Sequence, residues 1–160
     1  MEKPKIYLET TIPSHLVARA SRDLLIAAHQ QVTRTWWDEH RGTYDLFVSE
    51  FVMAEIAFGE EAMAEARRSV LAGFPLLEVN ESVRELTRVI MGSGILPPKG
   101  TTDAAHIAVA TIHQIDFLLT WNCRHINNAG IKRRMQSFLV SQEYVLPTIC
   151  TPEELMEDEP

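Results

Sequence analysis

Three carboxylates and one amide stand where a chain of alternating strands and helices brings polar residues to one edge of a sheet. They are Glu9, directly after the first short apolar run; Glu55, in the helical pattern after the second; Asp103, at the start of a later helix; and Asn122, directly after the fourth run. Ligands of open parallel sheets bind beyond the carboxyl ends of the strands. We therefore expect these four side chains to converge in one cleft.

Such a cluster suits the binding of a divalent cation. Carboxylates that are buried together without partners repel one another, and a cation resolves that repulsion. Ligand sets made of oxygen atoms suit Mg²⁺ or Mn²⁺. The spacing also leaves an ordinary structural role open for each acid. Glu9 could cap a turn, and Glu55 could be a solvated helix residue. Asp103 could be an acid in the first turn of a helix, stabilised by the positive end of the helix dipole.

The elements that must position these residues alternate along the chain. Short apolar runs predict strands at 6–8, 46–48, 76–79, 117–121 and 148–150. Helical spacing predicts helices at 14–20, 21–42, 50–58, 60–71, 82–91 and 103–113. Strands that are apolar throughout are typical of parallel sheets with helices on both faces. We predict an α/β fold, a three-layer α-β-α sandwich around a central, mainly parallel sheet of four to five strands.

Residues 1–155 are predicted to form one domain, followed by a frayed acidic tail at 156–160. The second strand should lie beside the first and the fourth on the first strand's other side, because this order places the switch point at Glu9. Ser14 is predicted to cap the first helix, and Thr101 or Thr102 the helix that carries Asp103. The predicted buried face of the second helix consists of Leu24, Leu25, Ala28, Val32 and Trp36.

Composition excludes several classes of protein. The chain has 160 residues, of which 46% are apolar and 23% charged, as expected for one ordered domain rather than a disordered chain. Two cysteines, Cys123 and Cys150, cannot form a disulfide scaffold, and no apolar run is long enough for a membrane span or a signal peptide. We expect a cytoplasmic protein with reduced, unreactive thiols. The net charge of −7 argues against tight non-specific nucleic-acid binding but permits a local basic patch.

Several segments, taken in order, resemble a known family. They are YLETTIPS at 7–14, SRDLLIAAHQQVTRTWW at 21–37, SEFVMAEI at 49–56, TDAAHIAVAT at 102–111 and FLLTWNCRHINN at 117–128. In this order they resemble PIN-domain proteins, in particular the VapC-like ribonuclease toxins of bacterial toxin–antitoxin pairs. The resemblance implies a cytoplasmic endoribonuclease that uses Mg²⁺ or Mn²⁺, leaves a 5′-phosphate and a 3′-hydroxyl, and is held inactive by an antitoxin protein.

The resemblance also assigns roles to residues. Glu9, Glu55 and Asp103 match the family's first three acids, Asn122 matches the fourth, and Thr10 or Thr11 matches a hydroxyl residue beside the first acid. Glu9 and Asp103 are expected to ligate the cation, with Thr10 hydrogen-bonded nearby. Glu55 is expected to bind the cation or act as a base through a water, and Asn122 to orient water or a phosphate oxygen.

Two of these residues depart from the family's pattern, in which the first and fourth positions are aspartates. Glu9 is one methylene longer, and a misplacement of about 1 Å can lower a rate about 100-fold. Asn122 keeps a carbonyl oxygen but lacks the charge, so the cation should be held more weakly. We therefore expect weak cleavage that favours Mn²⁺, and Asn122→Asp should enhance it.

Other polar and aromatic residues near these positions are candidates for binding. Arg124, His125 and Lys99 are predicted to contact RNA phosphates, although a solvated turn explains them equally. His106, one turn after Asp103, is expected to be packed or hydrogen-bonded rather than to touch RNA or orient a ligand. One tryptophan of the pair at 36–37 must point away from the core, where it could join a homodimer or antitoxin interface.

Two other functions remain as alternatives. In the first, Glu9 and Asn122 have blunted the site, and the chain is a PIN-like module that binds RNA or protein without cutting. In the second, the chain is a metal-dependent phosphatase on a flavodoxin-like sheet. The phosphatase is disfavoured because the first strand does not end in two acids spaced two residues apart, as aspartyl-phosphate chemistry usually needs.

Overall fold

Five parallel strands form the centre of the molecule in the computed structural model, which describes residues 2–157. The strands are β1 (Lys5–Leu8), β2 (Asp45–Ser49), β3 (Leu76–Leu77), β4 (Phe117–Leu119) and β5 (Thr148–Cys150). Their order across the sheet is β3-β2-β1-β4-β5, with β1 in the middle. The predicted sheet and the predicted neighbours of β1 are confirmed. The switch point lies at β1, so the residues that follow β1 and β4 are adjacent in space.

Helices connect the strands and cover the sheet. They are α1 (Thr11–Val17), α2 (Leu24–Glu39), α3 (Glu50–Ile56), α4 (Glu61–Leu71), α5 (Glu81–Gly92), α6 (Thr101–Ile112) and α7 (Ala129–Ser141), with 3₁₀ turns at Arg41–Thr43 and Glu153–Leu155. Crossovers between parallel strands are right-handed, and the chain moves from β1 first towards β3 and then back across to β5. Helices α1–α4 therefore cover one face and α5–α7 the other. None of the helices in the described range is long and apolar enough to cross a membrane.

The core is densest around β1 and α6. Ile6, Tyr7 and Leu8 of β1 are fully buried between β2 and β4. Every residue of α6 from Ala104 to Thr111 is buried, and its alanines allow the helix to lie close to its neighbours. Two of the polar groups in this apolar setting, the Tyr7 phenol and the His106 ring, lie towards the carboxyl edge of the sheet.

The buried face of α2 differs from the predicted one. Leu24 is 87% exposed and Leu25 66%, whereas Gln30, Thr33 and Trp36 are buried. The helix turns polar residues inward because they have partners there: Gln30 Nε2 donates to the carbonyl of Arg19 at 3.1 Å. Periodicity of apolar residues alone therefore assigned the wrong face to the first turns of α2, which begins after an Asp23 cap.

Two predicted caps are also wrong. Ser14 lies inside α1, where its hydroxyl donates to the carbonyl of Thr10 four residues earlier, and α1 begins at Thr11. Helix α6 follows Gly100, and Thr101 and Thr102 lie within it. A Cβ at Gly100 would lie 3.0 Å from the Pro97 carbonyl oxygen, so close packing of the preceding loop selects glycine over a side chain that could cap.

One helix and several element bounds differ from the prediction as well. Helix α7, which begins after an Asn128 cap, was not predicted from the apolar spacing. Strand β4 ends two residues early, which frees Thr120 and Trp121 to turn towards the carboxyl edge. Of the predicted tail, Met156 and Glu157 are irregular, and 158–160 lie outside the described residues.

Gly100→Ala should lower the free energy of unfolding by about 1–3 kcal/mol, since overpacking of a filled site costs that much. Gly42→Ala is the matched control, because a Cβ there meets nothing within 4 Å and should be neutral or slightly stabilising. Denaturant unfolding of both variants measures the difference. Equal stability of the two variants would show that the loop before α6 yields freely.

Candidate functional site

Glu9 follows the end of β1 and is held by three donors that converge on one carboxylate oxygen. Its Oε1 accepts hydrogen bonds from the Thr11 backbone N at 3.0 Å, the Thr11 hydroxyl at 2.5 Å and the Thr120 hydroxyl at 2.7 Å. The residue is only 4% exposed, and hydrogen bonds to a charged acceptor offset the loss of water. The contact with Thr11 N is the turn-capping role that the spacing left open. These bonds also fix the position of the longer glutamate side chain.

Glu55 reaches the same edge of the sheet from α3. The Thr10 hydroxyl donates to its Oε1 at 2.7 Å, and His106 Nε2 lies 2.5 Å from the same oxygen. Burial raises the pKa of Glu55, but the hydrogen bonds from His106 and Thr10 outweigh this effect, so that the pKa lies below its usual value. Glu55 is therefore an ionised, positioned carboxylate and not a solvated helix residue.

His106 joins Glu55 to a line of buried polar groups that crosses the core. Its ring is 1% exposed, and its Nδ1 lies 2.6 Å from the Tyr7 hydroxyl. Tyr7 in turn lies 2.7 Å from the Ser49 hydroxyl at the end of β2. Burial raises the pKa of Tyr7 well above its usual value, so the phenol keeps its proton. The expectation that His106 is hydrogen-bonded is confirmed, and its partners extend the site inward.

Asp103, in the first turn of α6, forms a second set of contacts. Its Oδ1 accepts from Asn122 Nδ2 at 3.2 Å, and its Oδ2 lies 3.1 Å from His125 Nδ1. Asn122 Oδ1 accepts from the His125 backbone N at 3.1 Å. Asn122 thus donates a hydrogen bond to the carboxylate that an aspartate at the same position would repel.

Thr120 links the two sets of residues. Its hydroxyl donates to Glu9 and accepts from the Asn122 backbone N at 2.9 Å. The structure therefore brings all four predicted polar residues to the carboxyl edge of the sheet. They lie there in two adjoining sets, with Glu9 and Glu55 in one and Asp103 and Asn122 in the other.

One group in the described part of the chain offers three ligand atoms within 4.8 Å of one another: Glu9, Glu55 and His106. Both glutamates make their hydrogen bonds through Oε1, which leaves each Oε2 available to a ligand. Two ligand atoms that share one cation lie about 3–4 Å apart, given bond lengths near 2.1 Å. The three ligand atoms would therefore close by up to about 1 Å to hold a divalent cation, and Asp103 lies in the adjoining set.

Trp121 ties the site to α1 and α2. Its backbone N donates to the Thr11 hydroxyl at 2.9 Å, and its indole Nε1 donates to the buried Thr33 hydroxyl at 2.7 Å. The ring stacks on His29, with centroids 4.0 Å apart and planes 12° apart. His15 lies beside this pair, and burial lowers its pKa. These contacts make the residues after β4 a rigid wall of the site.

The predicted RNA-binding residues lie around the acidic sets in different environments. Arg124 and Lys99 are exposed on loops, the former after β4 and the latter before α6. The His125 side chain is 41% exposed and lies against Asp103. Both cysteines are free, as expected, and burial raises the pKa of Cys150 to about 12.

Sequence reasoning gave Tyr7 no place in the site. It placed Ser49 and Thr120 at the strand ends without a role, and it favoured a packed or hydrogen-bonded His106. The signal was present: each is a polar residue inside an otherwise apolar element, and buried polar groups need partners. Spacing could not pair them, because their contacts join residues 42 to 111 positions apart.

A similar chain occurs in a solved structure, the VapBC2 complex of Rickettsia felis bound to a DNA fragment from its promoter. The two chains are 13% identical and superpose with a TM-score of 0.59, over 92% of this chain and 98% of that one. This likeness shows the PIN-like fold that the sequence predicted. No family model and no curated protein matches the sequence.

The free energy of unfolding should depend on pH through the hydrogen bonds of Glu55. Its lowered pKa means that the carboxylate contributes stability above the usual glutamate pKa of about 4.3 and loses it as the pH falls through the folded-state value. The free energy of unfolding between pH 6 and 3 should fall less steeply in Glu55→Gln than in wild type. Thr10→Val, which removes one donor, should be intermediate. The same dependence of the free energy of unfolding on pH in all three proteins would contradict this.

Asn122→Asp should have opposite effects with and without metal. In EDTA the new carboxylate faces Asp103 and loses the amide donor, so we expect destabilisation by about 1–3 kcal/mol. With Mn²⁺ the added charge should tighten binding. Thermal unfolding in EDTA and in Mn²⁺ tests both effects. A variant as stable as wild type in EDTA would show that the contact between Asn122 and Asp103 is unimportant.

Proposed function

We propose that this protein is a metal-dependent endoribonuclease of the VapC-like toxin type, held inactive in the cytoplasm by an antitoxin protein. The observation that carries the proposal is the convergence of Glu9, Glu55 and His106 within ligand distance of one another. This group lies at the switch point of a parallel sheet, beside Asp103. The similar fold of a chain in a VapBC complex supports it.

Some of these residues would ligate the cation, and others would position the ligands through hydrogen bonds. Glu9 and Glu55 would bind it through their free oxygens, and Asp103 would bind it from the adjoining set. When bound, a divalent cation such as Mg²⁺ or Mn²⁺ lowers the pKa of water and stabilises charge on the scissile phosphate. His106 and Thr10 keep Glu55 ionised through their hydrogen bonds, so Glu55 would accept a proton from a water. Asn122 orients Asp103.

The substrate would approach along the exposed loops beside the acidic sets. Arg124 follows the strand that carries Thr120, and its guanidinium suits the bidentate binding of phosphate. Lys99 lies on the loop before α6, on the approach to Asp103. His125 would contact RNA next to the cleft. Arg124 and Lys99 would give a local positive rim to a chain whose net charge is −7.

Exposed apolar residues would receive the antitoxin or a second copy of the chain. Leu24, Leu25 and Ile26 are exposed at the start of α2, and Phe58 is 76% exposed after α3. The outward member of the tryptophan pair does not supply this surface, because Trp37 packs edge-on against Phe74. We propose a homodimer and an antitoxin complex that use the exposed residues instead.

A second candidate function is RNA or protein binding without cleavage. It is favoured by Asn122, which removes one carboxylate from the site and whose amide donates a hydrogen bond to Asp103. In this case the acidic sets would be structural, and the basic rim would remain.

Asp103→Asn should lower RNA cleavage by about 100-fold or more, since it removes a charged ligand with little change of shape. Asp45→Asn, the same substitution at the start of β2, is the control and should cleave like wild type. Cleavage of a single-stranded RNA is measured against Mn²⁺ and Mg²⁺ concentration for all three proteins. Equal cleavage by Asp103→Asn would assign the activity to a contaminant. Inert proteins that still bind the RNA would establish the second function.

A further inference from the structure

His106 occupies an unusual position for a histidine that only fills space. It is buried, and each ring nitrogen has a polar partner: the Tyr7 hydroxyl lies at Nδ1, and Glu55 Oε1 lies at Nε2. The nitrogen that faces Glu55 is also the one that faces the site. Two groups that would ligate the same cation are thus hydrogen-bonded to each other.

The line of hydrogen bonds behind His106 can run in either direction. With Nε2 protonated, His106 donates to Glu55, the Tyr7 hydroxyl donates to Nδ1, and Ser49 donates to Tyr7. With Nδ1 protonated, His106 donates to the Tyr7 oxygen, and the Tyr7 hydroxyl turns to donate to Ser49. Only the second leaves the Nε2 lone pair free for a cation.

Metal-binding histidines nearly always donate their other ring N–H to an oxygen, which fixes the tautomer. Tyr7 and Ser49 provide such an acceptor within the core, where both side chains are 0% exposed to solvent. A phenylalanine would fill the same space in β1 without accepting the proton. The polar pair therefore has a function that packing does not explain.

We propose that His106 binds the cation directly through Nε2, backed by Tyr7 and Ser49, and that the site therefore selects a transition-metal ion over Mg²⁺. The inference rests on the proposed function, because it takes the cation at Glu9 and Glu55 as given. Imidazole nitrogen is a ligand of transition-metal ions, whereas Mg²⁺ keeps to oxygen ligands and its own waters. A bound cation requires Nε2 without its proton, and the ring then carries its proton at Nδ1, where it is donated to the Tyr7 oxygen.

Metal affinity without RNA tests this inference. Mn²⁺ binding is followed by electron paramagnetic resonance, and Mg²⁺ binding by competition, on wild type and on His106→Gln, Tyr7→Phe and His113→Gln. His106→Gln keeps a donor for Glu55, so we expect Mn²⁺ affinity to fall about 10- to 100-fold and Mg²⁺ affinity to change less. Tyr7→Phe should weaken Mn²⁺ binding about 10-fold. His113→Gln is the matched control and should bind as wild type does, because His113 directly follows the same helix and is bonded to the Glu78 carbonyl.

The tautomer gives a second readout that does not depend on a variant's folding. Two-bond ¹H–¹⁵N spectra of the imidazole rings in ¹⁵N-labelled wild type should show His106 protonated at Nε2 without metal and at Nδ1 with Zn²⁺. An unchanged Mn²⁺/Mg²⁺ affinity ratio in His106→Gln, or an Nε2 that stays protonated with Zn²⁺, overturns the inference and leaves the proposed function standing. A wild type that binds none of the three ions below about 1 mM, and does not cleave RNA, overturns both.

Discussion

Burying a carboxylate at the end of a strand requires donors for its oxygens, and the bonds to Glu9 are the contacts on which the rest of the site depends. Two threonine hydroxyls and one backbone N–H converge on a single oxygen. The donors come from α1 and from the segment after β4. They therefore fix the positions of both segments relative to β1. These three bonds do not use the other carboxylate oxygen.

The same threonine hydroxyls hold the neighbouring residues in place. Thr11 accepts from the Trp121 backbone N, and Thr120 accepts from the Asn122 backbone N. The ends of β1 and β4 are thus joined by side chains beyond the point where their ladder stops. This arrangement places Asn122 beside Asp103, and it explains why β4 is shorter than its apolar run predicts.

The sequence predicted the sheet well because short apolar strands separated by helices permit few topologies. It placed Glu9, Glu55, Asp103 and Asn122 at this edge for the same reason. Glu9 and Asn122 follow strands, and Glu55 and Asp103 lie on helices that begin at the edge. It could not separate them into two sets, because that division depends on long-range hydrogen bonds. The predicted buried face of α2 was wrong for a related reason. Thr33 is buried and accepts a hydrogen bond from Trp121 Nε1, a partner 88 residues away.

Tyr7 lies in the middle of the central strand, where one would expect an aliphatic residue to serve as well. Its hydroxyl makes the core a part of the site, because the polar line from Ser49 to Glu55 passes through it. A homologue that lost the tyrosine would leave His106 with an unpaired nitrogen, and one that lost His106 would leave a buried phenol with one partner fewer. Tyr7, Ser49 and His106 should therefore be inherited or replaced together, as a covarying set spread over two strands and a helix.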